Sequence, residues 1–204
     1  QLIDQRQFHP WEGGEGKVPA QYQLARLELA KELINRKKYD DALALIDECY
    51  IYPTHLGEGK LPGAQENDFN YYKAYILQQQ GRPEEAHSLF VKACSGNSQP
   101  AAAMYYNDQK PDKIFYQGLA YRKLGEEEKA RSRFNQLITY GEEHLFDRFK
   151  MDYFAVSLPD LLIWEDDMDK KNRIHCNYLM ALGHLGLGNR TKAEHFFDIA
   201  ASMD

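Results

Sequence analysis

The stretch KIFYQGLAYRKLGEEEKARSRFNQL, Lys113 to Leu137, decides the reading of the whole chain. Ile114, Phe115, Gly118, Leu119 and the run Tyr121 to Leu124 form an apolar stripe at helical period, and Gly125 supplies the permissive backbone that ends a helix. A second helix follows. In it Ala130, Phe134, Leu137 and Ile138 recur every three or four residues, and Glu126 to Glu128 stand in the first turn, where the helix dipole favours acids. Gly118 and Ala130 are small enough to let the paired helices cross closely.

Outward from this hairpin, the same template fits three more times. Residues 1–18, with Pro10 and several glycines, read as an extended lead-in. A helix is expected from about Pro19, and Tyr22, Leu24, Ala25, Leu27, Leu29, Ala30, Leu33 and Ile34 give it more apolar residues than one face needs, so it should be well covered. Its partner runs from Tyr39 to Tyr52. Phe69–Gln80 and Pro83–Cys94 form the second pair, split at Gly81, and Asn172–Leu187 and Thr191–Met203 form the fourth, split at Gly188. The repeats are therefore placed at 19–52, 67–95, 111–140 and 172–203. Insertions fall at 53–66, 96–110 and 141–171, with Gly141 closing a helix and Pro159 barring one continuous helix in the last.

The small, aromatic, glycine, alanine, aromatic order of these hairpins resembles the tetratricopeptide repeat family. The resemblance implies an all-α fold, a right-handed α-solenoid of about four helix pairs in a single domain over 1–204. The register alanines Ala42, Ala86, Ala130 and Ala193 are 44, 44 and 63 residues apart. The family's step is about 34 residues, so each interval carries an insertion after the second helix, and such insertions are a common place for function. Longer blocks, HPWEGGEGKV at 9–18, LGEGKLPGAQEND at 56–68, YYNDQKPDKIFYQGLA at 105–120 and DYFAVSLPDLLIWEDD at 152–167, resemble the C-terminal repeat region of large bacterial proteins. In those proteins a domain of unknown function, similar to galactose-mutarotase-like β-sandwiches, precedes the helices. That implies a carbohydrate-related parent chain and no catalytic residue.

Composition narrows the partners. The net charge is −6 with acids and bases interspersed, which weighs against nucleic acid and anionic membranes. No apolar run approaches the roughly 20 residues of a membrane span, and no signal peptide is visible. The chain starts at Gln1, which suggests a piece of a longer protein whose targeting signals could lie elsewhere; a cytoplasmic location is the expectation. Cys49, Cys94 and Cys176 are dispersed and read as buried thiols in a reducing compartment. No cofactor or metal is expected. The acidic run Glu165, Asp166, Asp167 and Asp169 lacks the ligand alternation of an EF-hand and reads as a helix start.

Two segments echo each other. Gly14-Glu15-Gly16-Lys17 precedes Val18-Pro19, and Gly57-Glu58-Gly59-Lys60 precedes Leu61-Pro62, with His9 and His55 shortly before. Neither has the spacing of a Walker loop. The structural reading is a tight turn with a local Glu–Lys pair, and the functional one is a ligand-contacting loop. The first helices of the repeats add Tyr71, Tyr72, Tyr75, Phe115, Tyr116, Arg122 and Tyr178, aromatic faces that suit peptides and sugars, or simply core. Lys31 and Asn35 match part of the clamp for chaperone C-termini, but the later repeats do not reproduce it.

The function expected is a non-catalytic scaffold that docks a protein or a neighbouring domain of its parent chain. The alternative is a carbohydrate-binding or active-site-completing module. There Trp11, Trp164 and the Tyr residues would stack on sugar rings while Glu12, Glu15, Glu58 or Asp152 hydrogen-bonds hydroxyls, and two of those carboxylates could serve as acid and base if brought within about 5–9.5 Å; Lys60 is a further binding candidate. Convergence of both GEGK carboxylates with Trp11 in one pocket favours the alternative.

Overall fold

The computed structural model describes residues 2–10, 15–102, 110–148 and 167–204, and among these residues the chain is helical without strands, an all-α fold. α1 (Leu2–Gln5) is a single turn. Four hairpins follow: α2 (Lys17–Asn35) with α3 (Tyr39–Cys49), α4 (Asn67–Gln79) with α5 (Pro83–Ala93), α6 (Pro111–Lys123) with α7 (Glu127–His144), and α8 (Met168–Gly186) with α9 (Arg190–Met203). A 3-10 turn at Thr54–Leu56 lies between the first two hairpins.

Each hairpin turns in the same way. The first helix ends where one residue takes left-handed backbone: Lys37 (φ 57°), Gly81 (75°), Gly125 (79°) and Gly188 (81°). The following N–H then returns to a helix carbonyl, Lys38 to Leu33, Arg82 to Leu77, Glu126 to Tyr121 and Asn189 to His184, each at 2.9 Å. This closure satisfies carbonyls that a helix end otherwise leaves bare. The carbonyls of those same four residues accept the N–H of Ala42, Ala86, Ala130 and Ala193 at 3.0–3.1 Å. The four alanines therefore share one geometric position, buried at the start of each second helix.

Contacts divide the chain into two units, Gln1–Ala93 and Cys94–Asp204. In the first, Leu27, Ile34, Ile46, Phe69 and Ile76 form the core, with Tyr50, Tyr72 and Tyr75 packed on it. A smaller cluster of Val18, Tyr22 and Leu56 takes Ile3 and Phe8 on its surface. The lead-in is thus not simply extended: it makes a helical turn and half-buries two apolar side chains, Ile3 and Phe8. The expectation that α2 is covered all round is also corrected. Leu24 is 49% and Leu29 52% exposed, because α3 and the small cluster take the helix's other sides.

In the second unit the core is organised around Phe134 on α7, which is fully buried. A Cβ placed on Gly118 of α6 would stand 2.4 Å from its ring, and one on Gly186 of α8 would stand 2.2 Å from it. Gly183 likewise lies against the Phe134 carbonyl and Ile138. Gly141 does not close a helix, as its residue type suggests; it lies inside α7, where a Cβ would meet Met180 at 2.6 Å and the Cys176 carbonyl at 2.7 Å. α7 runs on to His144 and α8 begins at Met168, so the third insertion is shorter at both ends than expected. Asp167 starts α8 by accepting the Lys170 N–H at 2.9 Å, as an acid at a helix start should.

Candidate functional site

The two GEGK segments meet. The Phe8 N–H donates to the His55 carbonyl at 2.8 Å, and His55 Nε2 lies 3.1 Å from the Ile3 carbonyl. Gly57 (φ 82°) allows the approach: a Cβ there would stand 2.6 Å from the Phe8 carbonyl oxygen. One step along, the Gly16 N–H donates to Glu58 Oε2 at 2.7 Å. Gly16 is the residue that precedes α2, so Glu58 places a carboxylate at that helix's N-terminus, where dipole and free N–H groups favour it. Glu15 stands beside this bond, half-buried.

The expected local pair of Glu58 with Lys60 does not form. Lys60 Nζ pairs with Glu66, just before α4, and donates to the Tyr50 carbonyl at 3.1 Å, while Glu58 turns back to the start of α2. Trp11 and Glu12 lie outside the described residues, as do Asp152 and Trp164.

The first-helix candidates are engaged in packing. Tyr71 meets Tyr72 and Phe90 edge-on, with ring centroids 5.6 and 5.8 Å away. Tyr75 packs on the Ile46 and Phe69 core, and Tyr116 is 8% exposed against Phe115. Arg122 forms a two-pronged pair with Glu127 at 3.0 and 3.1 Å. Tyr178 lies on Phe197, and burial, with Asp112 nearby, pushes its hydroxyl up to about 12, so it is a hydrogen-bonding group and not a base at neutral pH. Burial likewise pushes the Cys94 and Cys176 thiols up to about 11, which leaves them protonated and poorly nucleophilic. None of the eight described candidates lines either of two open grooves, one of about 610 Å³ along Glu128, Arg131, Asn135 and Tyr140, the other of about 380 Å³ along Leu43, Asp47, Lys73 and Leu89.

Sequence reading missed a set of buried and half-buried amides. Gln117, fully buried on α6, donates from Nε2 to the carbonyls of Ser95 (3.1 Å) and Asn97 (2.9 Å), and its Oε1 accepts from Arg133 Nε at 3.1 Å. It fastens the start of the second insertion to the third hairpin. Gln23 and Asn67 do a parallel service inside the first unit, donating to the last carbonyls of α3 (Cys49) and α5 (Ala93), each at 2.9 Å. Asn172 donates to the His144 carbonyl at the end of α7 at 2.8 Å. The one available signal was a polar residue inside an apolar helical face, which reads equally as a groove residue.

Among the described residues no group of three His, Cys, Asp or Glu side chains could hold a metal ion, and no helix is long and apolar enough to cross a membrane. No family model matches the chain. Among solved structures the chain is similar to the crystal structure of MamA, with 16% identity, coverage of 89% of this chain and 77% of that one, and a TM-score of 0.31. So distant a likeness bears on neither partner nor chemistry.

Proposed function

We propose that this chain is a non-catalytic helical scaffold whose inserted loops dock a protein or a neighbouring domain of its parent chain. The observation that supports this most is Gln117. A buried amide with its polar atoms satisfied by Ser95, Asn97 and Arg133 gives a loop a defined position, which a loop needing only to connect two helices does not require. Glu58 holds the lead-in to the first insertion in the same manner. Fixed loops lose less entropy on binding than free ones and so suit an interface.

The test places a photo-crosslinking amino acid at Gln99 in cells, with Ser202 as a control position. A discrete protein adduct at Gln99, absent at Ser202 and lost with Gln117→Leu, is expected. Equal labelling at both positions, or an adduct indifferent to Gln117→Leu, would sink the reading.

A carbohydrate-facing role has one observation in its favour, the meeting of the two GEGK segments. Against it, Glu58 already accepts a backbone N–H, and Lys60 faces Glu66 instead of Glu58. Calorimetry with an oligosaccharide panel decides: an isotherm abolished by Trp11→Ala would replace the scaffold reading.

A further inference from the structure

The second insertion begins as a fixed edge with a groove beside it. After a bend at Gly96, the chain from Asn97 to Ala102 is neither helix nor turn, and it is held from one side. Gln117 of α6 donates to the Asn97 carbonyl at 2.9 Å, and His175 Nε2 of α8 lies 2.7 Å from the Ala101 carbonyl. The Gln99 N–H is taken up by Asn97 Oδ1 at 3.0 Å. Along an extended run the main-chain groups of successive residues point to opposite edges. With Asn97 and Ala101 turned to the helices, Ser98 and Pro100 therefore present theirs on the other edge. Neither the N–H nor the carbonyl of Ser98 has a hydrogen bond among the described residues.

The groove of about 610 Å³ separates Gln99 and Pro100 from one face of α7. Its middle is uncharged. Ser132, Asn135 and Thr139 are exposed there, and no hydrogen bond holds their side chains among the described residues. Asn135 and Thr139 stand about 6 Å apart along the helix axis, close to the roughly 6.7 Å after which a strand repeats the groups on one edge. Charge collects at the ends. Glu128 has Arg131 one turn on, whereas Glu143 makes no ion pair among the described residues. We infer that this groove takes an extended segment of a partner protein, which pairs one main-chain edge with Ser98 and offers the other to Asn135 and Thr139. Uncharged donors and acceptors on both walls suit main-chain amides, as in strand addition. From Glu128 to Glu143 the groove runs about 22 Å, room for about seven extended residues. The segment that fits has an uncharged middle and a basic residue where it reaches Glu143.

The inference rests on the scaffold reading and gives it an edge and a partner chemistry. Its probe is the acetylated peptide TVSVTVTK, titrated into the intact, isotope-labelled chain and followed by NMR. Saturable shifts of the Ser98 amide and the Asn135 side-chain amide are expected. Ser98→Pro deletes an N–H that the fold leaves unused, and Asn135→Leu with Thr139→Val removes the side-chain partners from an exposed face. Each should weaken binding at least about fivefold while the thermal midpoint holds. Glu143→Lys should make a peptide ending in glutamate bind better than the one ending in lysine. No saturation, equal binding by a peptide N-methylated along its main chain, or affinity indifferent to both variants overturns it. So does a chain dimer that Ser98→Pro dissociates in sedimentation, which would make the occupant a second copy. If the Gln99 adduct forms in cells while the peptide fails, the scaffold reading stands and this inference falls. Peptide binding without the adduct keeps the groove and removes the scaffold reading.

Discussion

Lys37 holds left-handed backbone at the place where the other three hairpins have glycine. The Cβ makes that conformation cost about 1–2 kcal/mol, while glycine's wider freedom in the unfolded chain takes back about 0.5–1 kcal/mol. Lys37→Gly is therefore expected to stabilise the chain by a few tenths to about 1 kcal/mol, seen as a raised thermal midpoint; an unchanged or lower midpoint would show that the strain is absent. His184 makes the second prediction at this scale. It is buried, stacked on Phe196 at 5.5 Å, and its Nδ1 has no hydrogen-bond partner among the described residues. Burial, with Lys192 adding repulsion against the weaker pull of Glu142, lowers its pKa from the ordinary 6.5. His195 also meets the Phe196 ring, with centroids 5.4 Å apart. The unfolded chain thus binds the proton first. Stability from this group is complete above about 6.5 and is lost as the pH falls below it, so His184→Phe should flatten the decline of the thermal midpoint between about pH 7 and 5. A decline of equal slope in the variant would assign it to other groups.

At the level of the elements, the crossing of α6, α7 and α8 depends on side chains that are missing. Gly118, Gly183 and Gly186 leave the room that Phe134 and Ile138 fill, and alanine at Gly186 would bring a methyl to 2.2 Å from the ring. Overpacking of this kind costs about 1–3 kcal/mol, more than the roughly 1 kcal/mol alanine gains in helix propensity. Gly186→Ala should therefore lower the thermal midpoint, and Phe134→Leu in the same chain should recover part of the loss; additive losses would mean that the ring is not what the methyl meets. Gly141 belongs to the same set. Its residue type announces a helix end, and its neighbours Met180 and Cys176 require a helix interior. Propensity is a weak preference, and close approach of a second helix overrode it.

Across the whole molecule the charges are numerous and their pairs shallow. Arg26 bridges Asp4 and Glu48 at 2.5 Å, and Arg82–Glu85, Arg122–Glu127 and Lys31–Glu28 lie at the surface. Such pairs are each worth about 0–1 kcal/mol and weaken with salt, while screening the net charge of −6 acts in the opposite direction. Raising sodium chloride from about 0.05 to about 0.5 M should move the thermal midpoint by no more than about 2 °C. A larger fall would reveal an ion pair that matters to the fold. What could be read directly was the hairpin. The stripes at helical period, the turn glycines and the four alanines are local signals, set by which backbone each residue tolerates and which neighbours lie within one helical turn, and they placed the four pairs and their register. The turn at Lys37 was legible from that register despite the missing glycine. Beyond that range local signals stop. That Glu58 reaches Gly16, that Gln117 holds Ser95 and Asn97, and that Gly141 lies within a helix depend on residues 20 to 42 places away in the chain, and that Leu29 faces solvent while Ile76 is buried depends likewise on what other helices bring to each face. Sequence alone determined the helices and their pairing, because hydrogen bonding and burial period act over a few residues. Only the tertiary structure decided which faces are covered, because burial belongs to the neighbour that supplies it.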